Sequence, residues 1–393
     1  MTTLKRNLSS AEAFAVQAIA SLSWLCFLGL PYDVISLRER LSVTEAAAGW
    51  ITSWELMALA FAAMACVPFV ASADKRKMCM IGLVIAAIGM FLSAVSTSLT
   101  PVLIGRTFFG IGLGIVTAAV TAVPAMFLQP EKIYARIICM VAALAAILMY
   151  VLPAVMESVG SVGLDYTELA ITLVLGVSVA WLPAARGRAT SGHNVSLSAG
   201  RRAWLKPGVP SAVLSIGALV ASQGVGWAFA GTVAEALNAT TQQTSLAFSA
   251  CGFMQVPATL LALYLGNRFG YRSPILVSCF CLVLVSIGMY SSDSIQIFMI
   301  STALLGAFGC FAIPYQQALL AELDDSGEGA AAGGACLNVG TAIGPAIGGA
   351  SFSLGGFDSV ALASIILIFF SLAFAYHGVK KLKPTQPPKL ATL

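Results

Sequence analysis

The sequence predicts an all-α integral membrane protein with 12 transmembrane helices in two pseudo-symmetric six-helix bundles, both termini cytoplasmic. Composition, the distribution of basic residues and an internal repeat support this fold class. Of the 393 residues, 59% are hydrophobic and only 10% are charged, whereas a soluble domain has about 25% charged residues. A surface with so few charges must largely face lipid, and twelve crossings of about 20 residues use nearly the whole chain.

Twelve apolar stretches of crossing length follow one another along the chain. The predicted helices cover residues 13–35, 46–71, 78–99, 101–127, 133–156, 166–181, 211–234, 245–265, 274–289, 295–320, 330–352 and 359–376. The chain also contains 36 glycines. Glycine suits this architecture because helices in lipid associate by close approach at small residues.

The basic residues support this number of crossings. With twelve crossings and both termini inside, all but three of the 21 Lys and Arg residues fall in inner segments, as the positive-inside rule requires. The exceptions are Arg38 and Arg40 in the first outer loop and Arg106 within the fourth helix. The pattern predicts a multi-pass protein of the cell (inner) membrane, and its net positive charge reports topology and not nucleic-acid binding.

A polar interval at residues 184–208 divides the chain into two nearly equal parts. It carries five basic residues and no acidic residue. We interpret it as a cytoplasmic linker between an N-terminal six-helix bundle, residues 1–183, and a C-terminal one, residues 209–393.

The two parts share landmarks at nearly constant spacing. Asp74 follows the second helix and Asn267 follows the eighth, at an offset of 193, and Pro153 aligns with Pro345 at an offset of 192. These offsets indicate duplicated halves, as is common in transporters.

Four motifs lie within this repeat. They are the loop LGNRFGYRSP with Arg268 and Arg272, its shortened first-half partner ASADKRKM with Asp74 and Arg76, the fourth-helix segment LIGRTFFGIGLG, and GTAIGPAIGG with Gly344 and Pro345. Together they resemble the major facilitator superfamily over essentially the full chain. The Gly-Pro run resembles a signature of proton-coupled drug antiporters, although it lies in the eleventh helix and not the fifth. With Asn338 before it, this helix is similar to that of the drug- and sugar-efflux branch.

The resemblance implies alternating access between two rocking halves. The inner loops, with Asp74, Arg76, Asn267, Arg268 and Arg272, would then act as gates, although their cations could serve topology alone. Gly344 and Pro345 would supply close packing and a kink, because glycine lacks a Cβ and proline removes a backbone hydrogen bond.

Arg106 lies within a membrane span, where an unpaired arginine is costly. Asp33, near the outer end of the first helix, is at a similar depth. The two can pair if the first and fourth helices are neighbours, as the resemblance implies. The pair is either a static link or a charge switch coupled to protons or substrate.

Glu55 is predicted near the middle of the second helix. A carboxyl group at that depth suits a proton carrier or a counter-charge for a cationic substrate, and a protonated packing role is the alternative. Trp54 is adjacent in sequence and could form part of an aromatic cavity wall.

The second half has polar rather than charged candidates deep in its spans. Each could line a substrate cavity or could only form a helix–helix hydrogen bond; they are Gln223, Trp227, Gln255, Tyr315 and Asn338. The nine cysteines have no metal-type spacing, and no nucleophile–base pair stands out. We therefore expect neither an enzyme nor a metal site or cofactor.

The leading hypothesis is proton-coupled efflux of a small organic or amphipathic molecule by a monomer, with the bilayer and protons as its other partners. The residues that couple protons to transport would be Asp33, Glu55 and Arg106. One alternative is an importer or facilitator of an organic anion bound at Arg106, or of another small solute. A non-transporting receptor or scaffold is a third.

Overall fold

The computed structural model describes residues 8–70, 73–124, 127, 130–183, 206–266, 268–324 and 328–381. The regular elements in these ranges are helical. They are α1 (Ser10–Leu22), α2 (Leu25–Leu41), α3 (Glu45–Val70), α4 (Lys75–Val95), α5 (Leu99–Val120), α6 (Pro130–Val159), α7 (Gly163–Gly176) with a 3₁₀ turn at Val177–Trp181, α8 (Val209–Ala236), α9 (Thr241–Leu265), α10 (Arg272–Tyr290), α11 (Ile295–Leu323) and α12 (Glu328–Lys380). Residues 184–205, most of the predicted linker, lie outside the described ranges.

Several helix starts have a local cause in the sequence. Ser9 and Glu12 form a reciprocal capping box before α1, and Thr240 and Gln243 form another before α9. Asp74 caps α4 through its carboxylate. These side chains satisfy backbone N–H groups that have no partner within the helix.

Eleven helical stretches in the described ranges are long and apolar enough to cross a membrane. Helices α1 and α2 together form the first, where the sequence predicts one uninterrupted helix. The last, Ala332–Lys380, contains 49 residues, about 74 Å of helix at 1.5 Å per residue against an apolar bilayer core of about 30 Å. Its backbone leaves helical geometry at Gly355 and Gly356, and the φ of 63° at Gly356 favours glycine. This break lies between the predicted eleventh and twelfth helices.

One predicted helix begins too late. The sequence places the sixth helix at residues 166–181, but α7 begins at Gly163. Asp165 therefore lies in the first turn of a buried helix and not in a loop. An acidic residue is favourable at a helix N-terminus. The sequence prediction misses this first turn because it looks for an uninterrupted apolar stretch, which starts after Asp165.

Neutral hydroxyl groups join the helices of the second half. The Ser215 hydroxyl donates to the Ser371 carbonyl at 2.8 Å and accepts from Gln316 Nε2 at 2.7 Å. The hydroxyls of Ser286 and Ser364 lie 3.1 Å apart. All of these residues are buried, so these hydrogen bonds link α8, α10, α11 and α12 without any charge.

Residues 8–183 and 206–381 meet along three helix pairs: α2 with α8, α3 with α12, and α6 with α9. We call the end of the molecule that carries the start of α1 and the end of α12 the terminal end, and the other the opposite end. Within the described ranges, the hydrogen bonds and ion pairs found between the two parts lie between the middle of the crossing helices and the opposite end. They are Arg38–Glu235 at 2.7 Å, Trp227 Nε1 to the Phe27 carbonyl at 2.9 Å, the Ala346 amide to Ser53 Oγ at 2.7 Å, Ser249 Oγ to the Ala146 carbonyl at 3.0 Å, and Thr241 with Glu157.

Gly344 determines how closely α12 approaches α8. A Cβ at this position would lie 2.7 Å from the Gly224 Cα and 2.9 Å from the Ala221 carbonyl oxygen. Both neighbours are backbone atoms, which cannot rotate away. We predict that Gly344→Ala lowers the free energy of unfolding by about 1–3 kcal/mol, the usual cost of overpacking.

Gly334 in the same helix provides the matched control, because a Cβ there meets nothing within 4 Å. Gly334→Ala is expected to leave thermal stability unchanged or slightly raised. The measurement is the unfolding temperature of both variants in one detergent. Equal losses at the two positions would show that the contact with α8 is not the cause.

Candidate functional site

A fully buried arginine joins four helices of the first half. Arg106 of α5 donates from Nη1 to Asp33 Oδ1 of α2 at 2.5 Å and to Glu55 Oε2 of α3 at 2.9 Å. Its Nη2 donates to Asp165 Oδ1 of α7 at 2.5 Å. The Asp33–Arg106 ion pair expected from the sequence is therefore present, and Glu55 and Asp165 share the same guanidinium.

Asp165 connects this arginine to a second one. Its Oδ2 accepts from Arg40 Nη1 at 2.8 Å and from the Ser93 hydroxyl at 2.6 Å. The same hydroxyl accepts from Arg106 Nε and from Arg40 Nη2, both at 3.3 Å. The two guanidinium groups are thus held together by one carboxylate and one serine.

Arg40 lies between this network and a cleft at the opposite end. The cleft has a volume of about 520 Å³ and is lined by Arg40, Ser96, Thr97, Ser161 and Tyr166, among others. The side chain of Arg40 is 8% exposed. It therefore separates the buried carboxylates from the surface.

Glu168 lies beside this network of buried charges and makes the fewest hydrogen bonds of its carboxyl groups. It lies one turn after Asp165 on α7 and is 0% exposed, and neither carboxyl oxygen has a hydrogen-bond partner in the described structure. It packs against Gly29 of α2, where a Cβ would collide with Oε1. Glycine at position 29 thus provides the space in which this carboxyl group lies.

The network contains four carboxyl groups and two guanidinium groups. Asp33 Oδ2 and Glu55 Oε1 have no hydrogen-bond partner among the described residues, like both oxygens of Glu168. Full ionisation would leave two negative charges uncompensated in a buried site, which is costly. The arrangement can therefore hold protons on its free carboxyl oxygens. No group of three His, Cys, Asp or Glu residues in the described ranges has a geometry that could hold a metal ion.

The site residues predicted from the sequence do not include Asp165, Glu168 or Arg40. Asp165 and Glu168 are three residues apart in GLDYTELA, a spacing that places both on one face of a helix. Two acidic residues on one face of an apolar span are the signal that could have identified them, because each needs a partner in the membrane.

Trp54 lies apart from Glu55. Its side chain is 55% exposed, and its Nε1 donates to Thr107 Oγ1 of α5 at 2.9 Å, whereas Glu55 is 1% exposed. Consecutive helix residues point about 100° apart. Trp54 and Glu55 therefore point in different directions from α3, and a place for Trp54 in the substrate cavity stays a prediction.

Two of the polar candidates in the second half form helix–helix contacts. Trp227 donates to the Phe27 carbonyl of the first half, and its ring packs edge-on against Phe248 at 5.4 Å. Tyr315 donates from its hydroxyl to the Ala262 carbonyl at 3.3 Å. Both side chains are buried, so their polar atoms are engaged with the protein in this state.

The other three candidates are half-buried. Gln223 lies against Gly309, and its Nε2 is buried without a hydrogen-bond partner among the described residues. Gln255 of α9 and Asn338 of α12 are partly exposed. The roles of Gln223, Gln255 and Asn338 in a substrate cavity all stay predictions.

The predicted gating residues that the structure describes make contacts within their own half of the chain. Asp74 Oδ1 accepts from the backbone amides of Arg76 at 3.0 Å and Lys77 at 3.4 Å. The guanidinium of Arg268 lies 5.2 Å from the Tyr264 ring centroid, and that of Arg272 lies 4.5 Å from the Tyr376 ring centroid. Asn267 lies outside the described residues. The Asp74 carboxylate therefore stabilises its own helix in this conformation, and its role as a latch stays a prediction.

Comparisons with known proteins agree with this architecture. A family model described as Major Facilitator Superfamily matches residues 212–392, and one described as Sugar (and other) transporter matches residues 7–125. The nucleoside transporter NupG has a similar structure, with a TM-score of 0.75 and 14% identity over 96% of this chain and 100% of that one. The chain has the fold of the major facilitator superfamily transporters.

A second solved transporter with this fold is a bacterial homolog to human lysosomal transporter Spinster, in an inward-facing and unoccupied conformation. Its TM-score is 0.69, with 11% identity over 96% of this chain and 100% of that one. A comparison with curated protein sequences gives no match. The fold and the apolar helices identify a multi-pass integral membrane protein.

We predict that Arg106→Gln strongly destabilises the protein. Removal of the guanidinium leaves Asp33, Glu55 and Asp165 without their shared partner, and loss of one member of a buried ion pair costs about 3–5 kcal/mol. The unfolding temperature should rise again when Asp33→Asn is added to Arg106→Gln, because one buried charge is then removed. The measurement is thermal unfolding monitored by circular dichroism.

Arg38→Gln is the matched control, because Arg38 pairs with Glu235 near the surface with a side chain that is 27% exposed. Its loss should cost about 1 kcal/mol or less. If Arg106→Gln is as mild as Arg38→Gln, the network is not a structural centre of the first half.

Proposed function

We propose that this transporter moves a small organic or amphipathic molecule across the cell (inner) membrane by alternating access, coupled to protons and in the direction of efflux. The observation that carries the proposal is the double role of α2. This helix holds Asp33 in the buried charge network and also contacts the second half of the molecule. A change of charge at Asp33 would therefore act directly on the interface that must open.

The residues beside Asp33 make these interface contacts. The Tyr32 ring packs edge-on against Phe248 at 5.4 Å, and the Pro31 carbonyl oxygen lies against Gly231 of α8. One turn earlier, the Phe27 carbonyl accepts the Trp227 hydrogen bond. Protonation of Asp33 would weaken its link to Arg106 and free α2 to move with these contacts.

We infer twelve crossings with both termini in the cytoplasm. The final helix is long enough for two crossings and breaks at Gly355 and Gly356. Counted as two, it brings the total number of crossings to twelve, and an even total puts both termini on the same side. The distribution of Lys and Arg favours the terminal end as the inner side. With this orientation, contacts concentrated at the opposite end indicate a state that opens to the cytoplasm.

A single chain contains both halves that this mechanism requires, which supports a monomer as the working unit. The proposed gating loops at the terminal end, with Asp74, Arg76, Asn267, Arg268 and Arg272, would engage when that end closes. The Gly344–Pro345 segment of α12 lies at the contact with α3 and would serve as a pivot.

The alternative is an importer or facilitator of an organic anion or another small solute. An anion at Arg106 would have to displace one of three carboxylates that lie within 2.9 Å of it, and this geometry favours protons as the ligands of the network. The fold shared with a nucleoside transporter supports uptake of a neutral solute as the second candidate.

The decisive experiment measures transport and proton movement together in proteoliposomes. Labelled uridine and a lipophilic fluorescent cation serve as test substrates, with an imposed pH gradient and a pH-sensitive dye inside the vesicles. Glu55→Gln and Glu168→Gln are expected to reduce gradient-driven transport by at least about tenfold, because general proton-transfer groups contribute on the order of 10²–10⁴-fold.

Glu39→Gln is the control, since Glu39 lies on α2 but is exposed. It should transport like the unmodified protein. Transport that is indifferent to the pH gradient, with Glu55→Gln and Glu168→Gln both fully active, would falsify proton coupling. Uridine uptake under those conditions would favour the facilitator.

The Arg38–Glu235 ion pair should bias the two halves toward closure at the opposite end. Arg38→Glu is expected to increase the open population severalfold, because a surface ion pair contributes up to about 1 kcal/mol. Exchange of the charges in Arg38→Glu with Glu235→Arg should restore closure. The measurement is the distribution of distances between spin labels at Glu39 and Asn238 in a cysteine-free background.

Glu45→Gln is the matched control for this pair. Glu45 lies 3.8 Å from Arg38 but belongs to the same half, so its loss should leave the distance distribution unchanged. An equal shift in Glu45→Gln would assign the effect to the overall charge of this group of residues and not to the bond between Arg38 and Glu235.

A further inference from the structure

We propose that the groove between α10 and the end of α12 at the terminal end binds an anionic phospholipid. The phosphate would lie between Arg272 and Lys380, and one acyl chain would follow the apolar floor of the groove. This binding site is separate from the buried charge network and does not depend on what the protein transports.

The groove has the shape and lining that an acyl chain requires. Its volume is about 280 Å³, and its floor is formed by Ile275, Leu276, Phe369 and Leu372. Leu276 is 48% exposed and Phe369 is 58% exposed, so the groove opens outward. In a membrane the solvent on that side is lipid hydrocarbon.

Two cations lie against a single aromatic ring at one end of this groove. The Arg272 guanidinium carbon lies 4.5 Å from the Tyr376 ring centroid, and Lys380 Nζ lies 4.4 Å from the same centroid. Neither Arg272 nor Lys380 forms an ion pair within the described part of the chain. The ring orders both cations by cation–π attraction, and an anion between them would relieve their repulsion.

The position of these cations corresponds to the headgroup level. Arg272 is the first residue of α10 and Lys380 is the last residue of α12, so both lie where helices leave the apolar layer. Tyrosine and basic residues concentrate at that level, and basic pockets between transmembrane helices on the cytoplasmic side bind anionic headgroups. A phospholipid satisfies the cations and the apolar floor together, whereas inorganic phosphate satisfies only the cations.

The test uses the purified full-length protein with dioleoyl phosphatidylglycerol or dioleoyl phosphatidylcholine, which share their acyl chains and differ in charge. Native mass spectrometry counts retained lipids, and thermal unfolding reports stabilisation. The unmodified protein should prefer the anionic lipid by about thirtyfold, since each of the two cations near a headgroup contributes about 1 kcal/mol and 1.4 kcal/mol corresponds to about tenfold. Arg272→Gln with Lys380→Gln should abolish this preference.

Arg76→Gln with Lys77→Gln is the matched control, because it removes two cations at the same end of the molecule but away from the groove. It should keep the preference. Leu276→Trp, which fills the groove and retains both cations, should reduce retention of both lipids. The proposal is overturned if Arg272→Gln with Lys380→Gln keeps the preference, if Arg76→Gln with Lys77→Gln loses it equally, or if inorganic phosphate alone stabilises the protein as much as the anionic lipid.

Discussion

The first half of this protein is built around one guanidinium group in a medium that does not tolerate isolated charge. Arg106 is 0% exposed, so it can remain in place only if carboxylates from neighbouring helices reach it. Those carboxylates come from α2, α3 and α7, and each helix must keep the position that brings its acid to the arginine. The packing of the first half therefore serves an electrostatic requirement as well as an apolar one.

The proposed mechanism places coupling and structural support in the same network. In that mechanism, a change of charge at Asp33 would shift α2, which contacts the second half through Tyr32 and Pro31. A network remote from the interface would stabilise the fold without influencing its opening. The same contacts would therefore serve both rigidity within one half and movement between the halves.

The sequence predicts the parts of this structure that depend on composition and on the spacing of apolar stretches along the chain. Long apolar stretches fix most of the helices, and the break near Gly355 follows from glycines between two such stretches. The sequence also predicts that Asp33 pairs with Arg106, because a buried arginine must have a partner. It does not predict the part played by Asp165 and Glu168. An apolar search begins the helix after Asp165, and Glu168 lies inside the predicted helix without being recognised as a buried charge that needs a partner. The orientation of Trp54 depends on the rotation of α3 against α5, which tertiary packing decides.

The two halves use different chemistry to join their helices, and they differ accordingly in their tolerance of mutation. In the second half, Ser215, Gln316 and Ser371 form neutral hydrogen bonds, so a substitution nearby alters shape without altering charge balance. In the first half, a substitution at any network position alters both. The helix contacts made by these hydroxyl groups in the second half can therefore change one residue at a time, whereas the charge network of the first half must change in compensating pairs. Substitutions among proteins with this design should accordingly be independent around Ser215 and correlated around Arg106.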